Sequence, residues 1–323
     1  MTDRKIQIIK KENQEYPKYP DEFWAKLGKH ETKWANHVSP NYLQKIKSEL
    51  KVRDNDIFLV TYPRSGTTMT RRILLAMLDK KKGLETDAML NEKNYDSVNS
   101  STAFLEFEKD YVGFERAETI FEDKLGAPIR LLKTHLHAYN APEGIFADQN
   151  VSTKQQKPKI IFVTRNPKDT CVSYFHMTKN DNGNGDMREV DFNTFLEMFL
   201  KNELVNGNWI DFHNNWIELL RSKNYLDNLH IVYYEDLIQN YEQTVLEIGK
   251  FIGMKEDEID IEKLKLVSDF KVMQEKLKPK HITNFVRKGV VGDHVNYFSD
   301  EQSKRLENEV NTKLDKHFSY RYD

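Results

Sequence analysis

Lys133 and His135 stand two residues apart in "KTHL" (133–136), at the end of an apolar run, so on a strand both side chains leave from one face. An imidazole able to take a proton, beside an ammonium able to neutralise developing negative charge, is equipment for group transfer to a hydroxyl or amine. Each residue alone has a plainer reading: a strand-end histidine bonded to backbone, and a solvated lysine. A second apolar run ends in "YPRSGTT" (62–68), which gathers Arg64, Ser65, Gly66, Thr67 and Thr68 in a turn before a helical pattern. Backbone N–H groups at a helix start, a glycine that admits close approach, hydroxyl donors and one guanidinium together make a cradle for a phosphate. The same hydroxyls also suit a helix cap. The Walker pattern is absent, because Thr61 stands where its first glycine is required and Arg64 precedes the glycine where a lysine must follow it. An ordinary ATPase or kinase is therefore disfavoured.

Two further stretches carry basic groups in comparable settings. "VTRNPKDTCVSYFH" (163–176) puts Arg165 at a strand exit and Ser173 about two turns into the helix that follows. Arg165 can fork onto a phosphate or pair with Asp169, and Lys168 can equally be a surface charge. "FVRKGVVGDHVNYF" (285–298) sets Arg287 and Lys288 directly before Gly289, as a strap closing over a phosphate requires.

These residues need a scaffold that brings their strand ends together. Continuous apolar runs at 56–62, 129–134, 159–165 and 229–235 read as strands buried on both faces. Helical patterns at 67–80, 168–178, 192–205, 208–222 and 236–252 alternate with them, the last stopping at Gly253. The expected architecture is a three-layer α/β/α sandwich around a mostly parallel sheet, with ligands beyond the carboxyl ends of the strands. No repeat or linker divides the chain, so residues 1–323 are expected to form a single domain, with 281–298 as a long functional loop.

With 323 residues, 38% of them hydrophobic, the chain can bury one substantial core. A net charge of -2 argues against nucleic acid or an anionic membrane as partner, so any basic site must be local. No stretch has the apolar length of a membrane span and the first residues lack a signal-peptide core, which predicts a soluble cytoplasmic protein. Cys171 is the one cysteine, so an internal disulfide and a cysteine-cluster metal site are excluded, and burial in a helix is its expected place.

Taken in order, "PRSGTT", "RLLKTHL", "RNPKDTCVSYFH", "FLKNELVNGNW", "YYEDL" and "RKGVVGD" resemble the cytosolic sulfotransferases, from about residue 38 to the end. That family uses 3'-phosphoadenosine 5'-phosphosulfate (PAPS) as sulfuryl donor and releases 3'-phosphoadenosine 5'-phosphate (PAP). The resemblance implies a P-loop-NTPase-like sulfotransferase fold and no metal. It implies that Arg64, Ser65, Gly66, Thr67 and Thr68 surround the 5'-phosphosulfate, and that Arg165, Ser173, Arg287, Lys288 and Gly289 hold the 3'-phosphate. Tyr234, Phe270, Ser268 and Met69 match positions near the adenine. His135 matches the general base, with Lys133 and Arg64 stabilising charge on the transferring group. The N-terminal segment 1–37 is expected to pack near the acceptor pocket and 281–298 to cover the nucleotide.

The chain departs from the family pattern in three places. Arg64 replaces the usual lysine, and its guanidinium stays protonated where an ammonium can give up a proton. Met69 replaces a tryptophan, offering a thioether contact in place of a broad ring. Val295, Asp300 and Lys304 do not match the Lys, Val and Glu of the family's dimer motif, so a monomer is expected. The acceptor is expected to be a small apolar phenol, steroid or other alcohol, with Phe23, Tyr95, Phe104 and His137 as candidate pocket residues. A magnesium-dependent nucleotide kinase and a noncatalytic PAPS- or PAP-binding protein are the rival readings.

Overall fold

The computed structural model describes residues 39–79, 84–91, 102–106, 117, 129–146, 157–179, 187, 189–276 and 287–320, and the backbone of four short N-terminal strands. Those strands form two antiparallel hairpins, β1 (Gln7–Lys11) with β2 (Gln14–Lys18) and β3 (Trp24–Leu27) with β4 (His30–Lys33). The body is a five-stranded parallel sheet of β5 (Ile57–Thr61), β6 (Thr102–Phe104), β7 (Leu131–Thr134), β8 (Lys159–Thr164) and β9 (Leu229–Tyr233). Its order across the sheet is β6-β7-β5-β8-β9, with every neighbouring pair parallel.

Helices cover both faces. The two faces explain why the strands read as unbroken apolar runs, since successive side chains point opposite ways and both destinations are core. Phe58, Val60, Leu132, Ile160 and Phe162 join one hydrophobic core. Ile57, Leu59, Leu131, Ile161, Val163 and Val232 join the other. The first core is packed by α1 (Pro40–Glu49), α4 (Pro167–Thr178), α5 (Phe192–Leu200) and α6 (Trp209–Ser222), with Leu306 and Val310 of α11 (Asp300–Lys313). The second takes α2 (Thr67–Leu78), Met89 of α3 (Leu84–Asn91), and residues of α7 (Tyr234–Gln239), α8 (Tyr241–Ile252), α9 (Ile261–Ser268) and α10 (Phe270–Lys276).

The expected helix over 192–205 stops at Leu200, because Asn202 and Asn206 take left-handed backbone (φ 60° and 71°) that a helix cannot contain. The expected helix over 236–252 is two helices broken at Asn240 (φ -129°, ψ 42°). Gly253 ends the second in the left-handed region (φ 95°), as its sequence position suggests. Strand β6 was not anticipated: it has three residues and ends a stretch with no clear periodicity.

Because all five strands run the same way, their carboxyl ends share one edge. Phe104 and Glu106 follow from β6, Lys133 and His135 from β7, Arg64 to Gly66 from β5, Arg165 from β8 and Tyr234 from β9, side by side in that order. Each strand contributes a chemical group there.

Candidate active site

The turn after β5 opens into α2 with an unusual start. Arg64 has φ 75°, a left-handed conformation that costs a non-glycine residue strain, and Gly66 has φ 106°. Gly66 caps the helix without a side-chain hydrogen bond and the first turn of α2 holds no acidic residue, whereas α4 is capped by Asn166, whose side chain accepts from the Lys168 N–H. The N-terminal amides of α2 are thereby left for an anion. A side chain at position 66 would meet the Tyr234 ring at 2.7 Å, so the backbone approaches that ring as only glycine permits. The capping alternative for Ser65 and Thr67 does not hold. Among the described residues the buried Ser65 hydroxyl has no hydrogen-bond partner, and the Thr67 hydroxyl lies 2.7 Å from that of Thr61.

Arg64 points along the sheet edge toward β8. Its Nε donates to the Ser173 hydroxyl at 3.0 Å. Burial, then the charges of Arg165 and Arg287, push its guanidinium down to about 10. Arg165 lies with its guanidinium 4.5 Å from the centre of the Tyr234 ring and donates to the carbonyls of Val290 (3.0 Å) and Arg64 (3.5 Å). The alternative pairing with Asp169 is also present, at 3.6 Å. The Arg165 Nε is buried without a partner among the described residues. Two orphaned donors, Ser65 Oγ and Arg165 Nε, beside three crowded arginines form a site that an oxyanion completes.

The strap from 287 onward is tied to this place by carboxylates. Asp169 accepts from the Gly292 N–H (2.7 Å), the His294 N–H (3.0 Å) and His294 Nδ1 (2.9 Å). Burial pushes the Asp169 carboxyl up, but the His294 bond and the Arg165 charge outweigh it and hold it below its ordinary value. Asp293 pairs with both Arg287 and Lys288, the latter at 2.7 Å, and those bonds, against burial, bring it to about 2. Gly289 (φ 68°) lies against the Phe270 ring so closely that a Cβ would overlap it. Met69, Tyr234 and Phe270 belong to one apolar cluster. Ser268 lies behind it, its hydroxyl donating to the Leu264 carbonyl (2.7 Å) and 2.8 Å from the Tyr241 hydroxyl.

At the other end of the edge, His135 Nδ1 lies 2.7 Å from the Thr61 carbonyl and 2.9 Å from its hydroxyl. A carbonyl only accepts, so Nδ1 carries the proton and the Nε2 lone pair is the basic one. Burial, then the charge of Lys133, lowers the imidazole to about 3, despite the opposing Thr61 carbonyl, so it is neutral at physiological pH. Lys133 Nζ stands 3.6 Å from the centre of the Phe104 ring, and the edge of that ring meets the His135 ring at 5.1 Å between centroids. Burial and the Arg71 charge lower the Lys133 ammonium, while Glu106 opposes them.

A family model described as "Sulfotransferase domain" matches residues 54–318, most of the chain and every group described above. The chain belongs to the sulfotransferase family. Sulfotransferase 6B1 of Danio rerio is 30% identical over 279 residues, covering 85% of this chain and 83% of that one. The amine sulfotransferase of Oryctolagus cuniculus is 29% identical over 286 residues, covering 84% of each. Among solved structures, mouse sulfotransferase SULT7A1 complexed with PAP superimposes with a TM-score of 0.66 at 24% identity, covering 90% of this chain and 94% of that one. The matching fold is the α/β sandwich expected from the alternating strands and helices.

This sulfotransferase therefore brings Arg64, Ser65, Gly66, Arg165, Ser173, Tyr234 and the strap residues Arg287 to Gly289 to one part of the sheet edge, and Lys133, His135 and Phe104 to the neighbouring part. Thr68 is half-buried in the first turn of α2. His137 is in a different setting: it is buried, with Nε2 2.8 Å from the Asn206 carbonyl and its ring stacked on Tyr139. Phe23, Tyr95 and positions 281–286 lie outside the described residues. Lys168, read as a possible surface charge, is buried and paired with Glu307 at 2.5 Å. Cys171 is buried in α4, as expected. Glu106 and Thr61 were missed. Their only trace in the sequence is that each closes or follows a strand, which many residues do.

Proposed function

We propose that this sulfotransferase uses PAPS as donor, releases PAP, and transfers the sulfuryl group to a hydroxyl or amine of a small apolar acceptor such as a phenol, steroid or other alcohol. The observation that carries the reading is the pair of orphaned buried donors, Ser65 Oγ and Arg165 Nε, on strands flanking one end of the edge, with a neutral imidazole at the other. Basic and hydroxyl groups reach this place from the β5 turn, from Arg165 and Ser173, and from the strap, more than a single 5'-phosphate chain such as that of ATP would need. When bound, the donor supplies an activated sulfuryl group on a phosphate leaving group.

In this reading the α2 amides, Ser65, Thr67 and Thr68 hold the 5' end, while Arg165, Ser173, Arg287, Lys288 and the Gly289 backbone hold the 3'-phosphate. Met69, Tyr234 and Phe270 supply the apolar walls for adenine, with Ser268 beside it. Gly66 lets the chain pass close to Tyr234. His135 Nε2 takes the acceptor proton as the acceptor oxygen or nitrogen bonds to sulfur and the bridging bond to the leaving phosphate breaks. Base catalysis of this kind contributes roughly 10²- to 10⁴-fold. Lys133 and Arg64 face the negative charge that builds on the sulfuryl and bridging oxygens, each worth on the order of 10²- to 10³-fold. Fixed cations supply this compensation, so no metal is invoked.

The acceptor is drawn from the apolar character of Phe104 and from relatives whose names specify steroids, such as the 3-beta-hydroxysteroid sulfotransferase of Cavia porcellus, 25% identical over 287 residues. Phe23, Tyr95 and His137 are proposed with Phe104 as acceptor contacts. The protein is proposed to be a cytoplasmic monomer; among the described residues no helix is long and apolar enough to cross a membrane. Transfer of radiolabelled sulfate from PAPS to a panel of phenols, alcohols and amines tests the reaction. Calorimetry should show PAP binding far more tightly than AMP. Equal affinities would overturn the nucleotide assignment, PAP binding without transfer to any acceptor would leave a noncatalytic binder, and a dimer mass in light scattering would remove the monomer.

A further inference from the structure

The end of β6 delivers a buried carboxylate to the reacting edge that neither the motifs nor the nucleotide site accounts for. Leu105 N–H donates to the Lys133 carbonyl at 3.0 Å, extending the β6-β7 ladder one residue past the strand and bringing Glu106 over the last residues of β7. Glu106 is 3% exposed. Its Oε1 accepts from the His135 backbone N–H at 2.5 Å and its Oε2 accepts from the Thr134 hydroxyl at 2.9 Å. That hydroxyl in turn accepts from the Leu136 N–H at 2.9 Å. One carboxylate thus ties down three consecutive residues at the point where the strand turns away.

His135 is consequently held from two sides: its backbone by Glu106 from β6, its ring by Thr61 from β5. The Lys133 carbonyl accepts from Leu105, the neighbour of Glu106, and the charges of Lys133 and Glu106 act on each other. The charged and titratable groups acting on this pair among the described residues are Arg71 of α2 and His135 just after β7, with Arg64 of the β5 turn acting on His135. Lys133, Arg71 and Arg64 are cations; Glu106 is the counter-charge. A glutamine carbonyl would accept only one of the two strand-end donors, whereas the carboxylate accepts both; a carboxylate buried at this depth is costly unless its charge has a partner.

We propose that Glu106 is a positioning residue for sulfuryl transfer: its carboxylate fixes the backbone that carries the His135 imidazole and sets a negative charge beside the end of β7 that carries Lys133. Glu106 touches neither donor nor acceptor and acts through those two residues. The inference rests on the sulfuryl-transfer reading of the site. Burial raises the Glu106 carboxyl and lowers the Lys133 ammonium, and each charge opposes the effect of burial on the other. Removing the carboxylate therefore lowers Lys133 further, so the ammonium is lost at a lower pH.

Glu106→Gln separates charge from shape. PAP affinity by calorimetry should be unchanged, because PAP lacks the sulfuryl group that Lys133 faces. The kcat should fall by roughly tenfold or more, as when a transition-state charge donor is weakened, with KM for PAPS little altered. The alkaline limb of the pH profile should move to lower pH. Glu106→Asp, which retains the charge, should recover part of the kcat and restore the limb. A Gln variant with wild-type kcat and pH profile would overturn the proposal, as would an Asp variant no better than Gln. Should Gln also lose PAP affinity, Glu106 serves general folding and the proposal again fails, whereas failure of wild-type protein to transfer sulfate at all would sink the underlying reading instead.

Discussion

The two ends of the sheet edge use charge in opposite ways. Around Arg64, Arg165 and the strap, cations lie against carboxylates: Arg165 meets Asp169 and Lys288 meets Asp293, and hydrogen bonds and opposite charges keep Asp169 and Asp293 ionised despite their burial. Around His135 and Lys133 burial lowers both groups, and Thr61 and Glu106 back them. The first end suits an anion of constant charge; the second carries the proposed base. What separates them physically is the counter-ion: at one end Asp169 and Asp293 lie within ion-pair distance of Arg165 and Lys288, while at the other Glu106 binds a backbone N–H and a hydroxyl and Lys133 lies over the Phe104 ring.

The largest expected effect comes from the proton-exchanging end. His135→Ala should reduce transfer by roughly 10²- to 10⁴-fold while leaving PAP affinity near wild type, because the histidine serves the acceptor. Persistent turnover in single-turnover assays would remove the base assignment. Arg64 lies where the two ends meet, and Arg64→Ala should cut kcat by about 10²-fold or more while Arg64→Lys keeps or raises it. An alanine variant with unchanged kcat would place Arg64 wholly with the nucleotide.

At the constant-charge end, Arg165→Ala should weaken PAP by roughly 10- to 100-fold, the worth of charge-assisted hydrogen bonds, and weaken AMP much less. Equal losses would mean that Arg165 supports the fold through Asp169 and Val290 and not the second phosphate. The smallest effect is on the shape of the pH profile. His135, lowered to about 3, remains the neutral base well below the range where an ordinary histidine protonates, and Lys133, lowered by burial, loses its charge as pH rises, sooner than an exposed lysine does. The profile of kcat/KM should therefore extend far to the acid side and fall early on the alkaline side. A profile bounded at the ordinary histidine value would show that the two ends are not electrostatically distinct.

Legibility in the sequence followed distance along the chain. Turns that lie next to their strand and helix, such as 62–68 and 163–173, could be read, because apolar run, glycine and basic residue are contiguous there. The helix breaks at Asn202 (φ 60°) and Asn240 (φ -129°, ψ 42°) were not, since asparagine is found within helices and outside them alike until packing decides. Lys168 illustrates the same limit: a lysine in a first helical turn looks solvated, and only the arrival of α11 with Glu307 and Ser303 buries it.

By itself the sequence determined the alternation of buried strands with helices, hence a parallel sheet with its loops on one edge, and determined which residues of basic or hydroxyl type those loops carry. The tertiary structure alone decided which strands are neighbours. The order β6-β7-β5-β8-β9 sets Thr61 against His135 across 74 residues and Glu106 against the same histidine across 29. Those partners choose the imidazole's tautomer and the lysine's charge, and no local pattern encodes them because hydrogen bonds and burial act through space.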